Sequence, residues 1–142
     1  MKPAFWDSSS LVPICVQQKA SPTVRRLAKQ YEIVVWWSTP VELRSAFSRL
    51  VRAGELTPAG QILAEDSLKN LRSRWREVLP GEAMRDEAEM VLARFPLSAA
   101  DALQLAAAMR WTRSHPRGQV FICGDARLLE AARQLGFHVV EA

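Results

Sequence analysis

Residues 120–132 have the sequence Val120-Phe121-Ile122-Cys123-Gly124-Asp125-Ala126-Arg127-Leu128-Leu129-Glu130-Ala131-Ala132. The apolar run at the start predicts a strand, and the spacing of Leu128, Leu129 and Ala132 predicts a helix directly after it. Asp125 stands between the two. Ligands of open α/β sheets bind beyond the carboxyl ends of the strands, so an acid at this point is a candidate functional residue.

The rest of the chain alternates between strand and helix signals in the same way. Further strands are predicted at residues 4–7, 33–37 and 137–140, and helices at 10–19, from 21 onward, and at 40–53, 58–79, 82–95, 99–112 and 126–135. Helix 99–112 is apolar around most of its circumference, so we expect it to lie against the sheet. This order predicts an α/β fold with a mainly parallel central sheet that helices cover on both faces.

Length and composition fit one domain that spans residues 1–142. Hydrophobic residues make up 49% of the 142 residues, enough to bury one sizeable core. We see no signal-peptide pattern and no apolar run of the roughly 20 residues that a membrane-spanning helix needs, so we expect a cytoplasmic protein without membrane contact. Cys15 and Cys123 are expected to be small buried hydrophobic residues, and the two histidines form no zinc-binding pattern.

Four acidic residues stand at comparable places in the pattern: Asp7, Glu42, Asp101 and Asp125. Each has a structural explanation when it is taken alone. Thr39 to Glu42 has the form of a capping box with Thr39 as the N-cap, Ser98 to Asp101 is a looser version, and Asp7 and Asp125 can be N-caps. If several of these helix starts meet at one end of the sheet, their carboxylates cannot all stay ionised without a cation. The set therefore predicts a divalent-cation site.

The ligand type indicates which cation and which chemistry such a site would support. Carboxylates without His or Cys suit hard cations, so we expect magnesium, with manganese as the second choice. A cation of this kind supports hydrolysis of a phosphodiester by neutralising charge at the phosphorus centre and on the leaving oxygen. Such a reaction needs no nucleophile from the protein.

Four stretches, in this order, resemble the PIN-domain ribonucleases, and especially the toxin component of bacterial VapBC toxin–antitoxin pairs. They are residues 5–12 (FWDSSSLV), 38–43 (STPVEL), 97–108 (LSAADALQLAAA) and 121–132 (FICGDARLLEAA). The resemblance spans nearly the whole chain and implies a single PIN-like domain. It also implies a magnesium- or manganese-dependent endoribonuclease that acts as a toxin, forms a homodimer and is inhibited by an antitoxin protein covering its active groove.

The resemblance carries Asp7, Glu42, Asp101 and Asp125 onto the acidic metal-binding positions of the family, with Ser9 as a polar companion of Asp7. For Ser9 the alternative is a local turn or a hydrogen bond at the helix start. This chain departs from the family two residues before Asp125, where Cys123 replaces the usual hydroxyl residue. The departure concerns a contact to water or phosphate that the hydroxyl would make.

Basic residues of the middle of the chain are candidates for RNA contact. The net charge is +4 and the pI is near 9.6. If several acids are gathered at one site, the remaining surface is more basic than the net charge suggests. Lys69, Arg72 and Arg76 share one face of the predicted helix 58–79 and can hold RNA phosphates, while Arg44, Arg49, Arg52 and Arg74 add charge nearby in sequence. The alternative is an ordinary solvated helix face.

The main alternative function is a non-catalytic PIN-like module that binds RNA or a protein. Two further classes are disfavoured by the residues. Ser9 stands where an aspartyl-nucleophile phosphatase of the DxD type would have its second Asp, and no glycine-rich phosphate loop follows the first strand.

Overall fold

The structure is a computed structural model that describes the backbone of residues 1–142 and every side chain except that of Gln18. Along these residues the strands are β1 Lys2–Trp6, β2 Tyr31–Trp36, β3 Arg76–Val78, β4 Val120–Cys123 and β5 His138–Glu141. The α-helices are α1 Ser8–Cys15, α2 Pro22–Gln30, α3 Thr39–Arg52, α4 Pro58–Arg72, α5 Glu82–Arg94, α6 Ala99–Trp111 and α7 Ala126–Leu135, with a 3₁₀ turn at Gln17–Lys19. None of the helices described combines the length and apolarity that crossing a bilayer requires.

The strands form one sheet in the order β3-β2-β1-β4-β5, and every neighbouring pair is parallel. The central strand β1 pairs with β2 on one side and β4 on the other, so that Ala4 lies opposite both Ile33 and Val120. The chain builds outward from β1 to β3 and then crosses back to β4. The order of strands therefore reverses between β1 and β4, and α/β sheets bind their ligands beside such a reversal.

Alternating side chains of the strands pack into two separate apolar layers. Phe5 belongs to the layer that includes α5, α6 and α7, and its ring stacks on Phe121 with 5.6 Å between ring centroids. Ala4 and Trp6 belong to the opposite layer, which α1, α2, α3 and α4 complete. Strand side chains alternate between the two faces of a sheet, so this separation follows from the strand geometry. The predicted parallel sheet with helices on both faces is confirmed, as is the packing of α6 against it.

The predicted helix 58–79 is wrong in its last third, after Arg72. The helix ends at Arg72, and the chain turns through a buried Trp75 into the edge strand β3. The apolar residues at 68, 71, 75 and 78 have helical spacing, but Val78 lies opposite Trp36 of β2 in the sheet. Pairing with a strand some forty residues earlier outweighs a local preference for helix. The predicted first helix also differs: it begins at Ser8 and ends at Cys15, ahead of the 3₁₀ turn.

Candidate metal centre

The four acids predicted from the sequence line one cavity of about 450 Å³ at the carboxyl end of the sheet. Asp7 directly follows β1 and Asp125 follows β4 after one glycine, on either side of the point where the strand order reverses. Glu42 lies in the first turn of α3, after β2, and Asp101 lies in the first turn of α6. Four different segments of the chain therefore bring carboxylates to the same place.

Asp7 is the most enclosed of the four acids, with 3% of its surface exposed. Its Oδ2 atom accepts hydrogen bonds from the backbone N–H of Ser9, at 3.2 Å, and from the Ser9 hydroxyl. The same hydroxyl accepts a bond of 3.1 Å from the backbone N–H of Gly124. Ser9 therefore connects the end of β1 to the end of β4, in addition to the local hydrogen bond that the sequence alternative allowed.

The surroundings of Asp7 oppose its ionisation. Burial raises the pKa of Asp7 from 3.8 to about 6, against a smaller lowering by the hydrogen bonds from Ser9. The negative charges of Asp101 and Glu42 raise the pKa further. A divalent cation beside Asp7 would stabilise the ionised form that burial and the neighbouring charges disfavour.

Glu42 is held by three side chains rather than by the capping box predicted for it. The hydroxyl of Ser38 donates to Oε2 at 2.7 Å, the amide of Gln104 donates to the same oxygen at 3.1 Å, and the Ser8 hydroxyl donates to Oε1 at 3.3 Å. The predicted N-cap, Thr39, is instead the first residue of α3, and its buried hydroxyl has no partner among the described atoms. The capping-box prediction is wrong because the chain enters α3 one residue earlier, at Ser38.

Asp101 lies in the first turn of α6, and the predicted cap of this helix is present. The Ser98 hydroxyl accepts a bond of 3.2 Å from the backbone N–H of Asp101. Burial raises the pKa of the Asp101 carboxyl, the charge of Asp125 raises it further, hydrogen bonding to Ser98 lowers it, and Glu42 adds a smaller increase. The charges of Asp125 and Glu42 therefore act on Asp101 through space.

Asp125 is the predicted N-cap of α7. Its Oδ1 atom accepts a bond of 2.9 Å from the backbone N–H of Leu128. A carboxylate has further lone pairs on its second oxygen, so capping does not prevent a role at the cavity. The preceding Gly124 is required by space: a Cβ there would lie 2.7 Å from the backbone oxygen of Ala142.

Cys123 occupies the position where the family resemblance predicts a hydroxyl. Its Sγ atom lies 3.7 Å from Oδ2 of Asp7 and accepts a bond of 3.2 Å from the backbone N–H of Asp125. Burial raises the pKa of the Cys123 thiol well above its ordinary value, and the charge of Asp7 adds to the increase. The group is therefore a neutral thiol that donates weakly to Asp7, in place of a hydroxyl.

The donors at this cavity fit a hydrated hard cation better than a closed cage. Among the described side chains, no three His, Cys, Asp or Glu residues are arranged to hold a metal ion as a group. Magnesium keeps several of its waters and is usually bound through one or two carboxylates together with phosphate oxygens of the substrate. Four acids around an open cavity suit that manner of binding. One of them, Asp7, is buried, and burial disfavours its ionised form.

Solved structures with a similar fold include a toxin–antitoxin complex, whereas neither a protein-family model nor a curated protein matches the sequence. VapBC2 from Rickettsia felis, bound to a DNA fragment from their promoter, has a TM-score of 0.68 and 10% identity, covering 97% of this chain and 98% of that one. FitAcB from Neisseria gonorrhoeae has a TM-score of 0.66 and 15% identity over 97% and 96% of the chains. A toxin–antitoxin complex from Klebsiella pneumoniae has a TM-score of 0.59 and 12% identity over 87% and 88%. The chain has a PIN-like fold.

At these identities the likeness concerns the fold, and for the fold it confirms the resemblance seen in the sequence. The matches cover nearly the full length of both chains, as the sequence resemblance does. The four acids line one cavity, and their role as metal ligands stays a prediction.

The basic residues predicted to contact RNA lie away from the acidic cavity. Lys69 and Arg72 are exposed on α4, and neither lines the cavity. Arg76 does not share their helix face, because it belongs to β3 and pairs with Glu32 at 3.2 Å. Their contact with RNA stays a prediction, but the common helical face is wrong for Arg76.

Two residues at the site were not singled out by the sequence analysis. Gln104 is fully buried, holds Glu42, and has a side-chain oxygen without a partner among the described atoms. A signal was present, since a glutamine stands three residues after Asp101 within a run of apolar residues. Arg49 lines the acidic cavity, although the sequence analysis counted it only as added charge.

Proposed function

We propose that this protein is a magnesium- or manganese-dependent endoribonuclease that acts as the toxin of a toxin–antitoxin pair. The observation that carries the proposal is the cavity where carboxylates from four segments surround the reversal point of a PIN-like sheet. Toxin–antitoxin complexes among the structures of similar fold support the biological role.

In this proposal Asp7, Asp101, Glu42 and Asp125 hold the cation. When bound, the cation supplies Lewis-acid chemistry for hydrolysis of the RNA phosphodiester, activating water and neutralising charge that develops at phosphorus and on the leaving oxygen. Cation binding requires an ionised Asp7, which burial and two like charges disfavour. The cation and the Asp7 proton therefore compete, and binding strengthens as pH rises through about 6.

Other residues fix the direction of these carboxylates. Ser9 orients Asp7 through two bonds to one oxygen, so the other oxygen is left for the cation. Ser38 and Gln104 together hold Oε2 of Glu42, and Ser8 holds Oε1 more loosely at 3.3 Å. Such supporting bonds set the geometry of metal ligands, and their loss commonly lowers metal affinity about 10- to 100-fold.

The proposal includes RNA as substrate and a cognate antitoxin as protein partner, with a homodimer as the functional form and the cytoplasm as the place of action. Apart from the acidic cavity the surface is basic, because four of the 15 Asp and Glu residues line it while 19 Lys and Arg residues are present. A basic surface favours RNA binding that weakens as salt rises.

The test is cleavage of a total cellular RNA pool by purified protein, freed of any partner, in magnesium, manganese or EDTA. The test variant is Asp7→Asn with Asp101→Asn. The matched control is Asp66→Asn with Asp86→Asn, which removes the same charge from exposed positions on α4 and α5 outside the cavity. We expect wild type and the control to cut RNA with either cation and not in EDTA. The test variant should still fold and should cut no RNA.

One observation favours the alternative of a non-catalytic RNA- or protein-binding module. No three acids among the described residues are grouped as metal ligands, and Oδ2 of Asp7 is already bonded within the protein. If wild type and both variants bind RNA equally and none cuts it in either cation, the module is the correct function. Cleavage that disappears only in the Asp7 and Asp101 variant excludes the module.

A further inference from the structure

Arg49 is the one cation among the described residues that line the acidic cavity. Its surroundings contain four carboxylates, yet its side chain makes no ion pair or hydrogen bond with any described residue. Arg44, on the same helix, shows the usual outcome, a salt bridge of 3.0 Å to Glu65. The pKa values of Asp7 and Asp101 are shifted by burial, hydrogen bonds and other carboxylates, with no contribution from Arg49. The guanidinium is therefore exposed and available to an anion from outside the protein.

The helix sets the separation between Arg49 and the acids. Glu42 and Arg49 are seven residues apart on α3, which is almost two full turns, so both side chains lie on the same stripe of the helix. The rise between them is about 10 Å. An RNA strand with its scissile phosphate beside Glu42 would bring a different phosphate, along the strand, to Arg49.

A second cavity adjoins the first at Arg49. Its volume is about 400 Å³, and it shares Ser9, Val12, Ala46 and Arg49 with the acidic cavity. Beyond these residues its walls are Leu50, Ala53 and Glu55. This volume is within the range of small-ligand pockets, about 300–1,000 Å³. The aliphatic side chains of the lining, those of Val12, Ala46, Leu50 and Ala53, can pack against the face of a nucleobase.

We propose that Arg49 and this second cavity form a nucleotide subsite, in which Arg49 binds a phosphate flanking the scissile one and the base of that nucleotide enters the cavity. Arginine forms paired hydrogen bonds with phosphate oxygens, and bases of single-stranded RNA are free to leave the stack. The subsite deepens the proposed ribonuclease function and rests on it. It makes the nucleotide beside the cut a determinant of sequence preference.

The first experiment is steady-state cleavage of an oligoribonucleotide that spans a mapped cut site, by wild type, Arg49→Ala, Arg49→Lys and the control Arg52→Ala. Arg52 is exposed at the end of the same helix and lines neither cavity. We expect Arg49→Ala to raise KM about ten-fold with kcat nearly unchanged, as for the loss of one charged hydrogen bond. Arg49→Lys should recover part of the loss, and Arg52→Ala should match wild type.

The second experiment replaces single phosphates of the same oligoribonucleotide by uncharged methylphosphonates, one position at a time. One flanking position should raise KM for wild type about ten-fold and have no further effect on Arg49→Ala, because the partner charge is already gone. Filling the second cavity with Ala53→Trp, at an exposed position, should change the preferred base at that nucleotide. Equal methylphosphonate effects in wild type and Arg49→Ala overturn the subsite.

The two proposals fail in different ways. If wild type cuts no RNA, the ribonuclease function and the subsite both fall. If wild type cuts RNA but Arg49→Ala has the KM of Arg52→Ala, only the subsite is wrong. If Ala53→Trp leaves the base preference unchanged, the base does not enter the second cavity. The phosphate contact is then retained only if Arg49→Ala still raises KM.

Discussion

Two neighbouring junctions of this protein have the same local design and different surroundings. At the end of β1, Asp7 caps α1, and at the end of β4, Asp125 caps α7. Asp7 is buried beneath Ser9 and Cys123, whereas Asp125 is exposed. The difference arises because β1 is the central strand of the sheet, so the chain packs around its end from both sides.

The comparison teaches that a strand, a capping Asp and a helix can follow one another at two junctions although only one of the two acids, Asp7, is buried. Burial raises the pKa of Asp7 to about 6, against a smaller lowering by the hydrogen bonds from Ser9, and the charges of Asp101 and Glu42 add to the increase. Asp125 shares the capping function, but its charge is solvated. The two junctions should therefore respond differently to substitution, to pH and to cations.

The largest expected difference is in RNA cleavage. Asp7→Asn should lower kcat/KM by on the order of a thousand-fold, because it removes a buried charge at the reacting centre, where solvent does not screen it. Asp125→Asn should lower it about ten-fold, since solvent screens the exposed charge and asparagine still caps the helix. Single-turnover cleavage at saturating magnesium measures both, with Asp86→Asn as the control. Equal losses in the two variants would show that burial does not separate the junctions.

The next effect is the pH dependence of stability without a divalent cation. The Asp7 pKa rises from 3.8 to about 6 on folding, so the folded state binds the extra proton between these values. The contribution of neutral Asp7 to the free energy of unfolding is fully present below about pH 4 and is lost as pH rises through about 6. The loss amounts to about 3 kcal/mol. In EDTA, the free energy of unfolding measured with urea should therefore be larger for Asp7→Asn than for wild type at pH 8, and not at pH 4.

A smaller effect concerns stabilisation by magnesium itself. A ligand at ten times its Kd raises the free energy of unfolding by about 1.4 kcal/mol. We expect this gain for wild type, a reduced gain for Asp125→Asn and almost none for Asp7→Asn, and we expect EDTA to reverse it. Thermal unfolding in magnesium, against sodium at equal ionic strength, provides the measurement. The same gain in Asp7→Asn as in wild type would place the cation elsewhere.

The smallest effect concerns the cap of α7. Asp125→Ala removes the acceptor for the Leu128 backbone N–H and should lower the free energy of unfolding by about 1 kcal/mol, whereas Asp125→Asn should leave it nearly unchanged. Unfolding in urea with EDTA separates this structural contribution from cation binding. A loss in Asp125→Asn as large as in Asp125→Ala would assign the stability to the charge and not to the cap.

Prediction from sequence succeeded where the signal was local. The strand before Asp125 and the helix after it follow from an apolar run and a helical repeat, and both are present with the predicted cap. The strand β3 was missed because its identity depends on pairing with β2, and the residues concerned have helical spacing of their own. The capping box at Thr39 failed because Ser38, one residue earlier, is the N-cap of α3, and Glu42 bonds to the side chains of Ser38 and Gln104 instead.

The order of residues along the chain was sufficient for most of the alternation of strands and helices and for the four acids at helix starts, because each depends on neighbours within one or two turns. The parallel sheet was inferred from that alternation. Folding in three dimensions was needed to bury Asp7, to set Gln104 against Glu42 from 62 residues away, and to leave Arg49 unpaired beside the acids. These features depend on which segments meet at the end of β1. Local sequence does not specify this packing, since the electrostatic environment of a side chain is set by atoms from every segment packed around it.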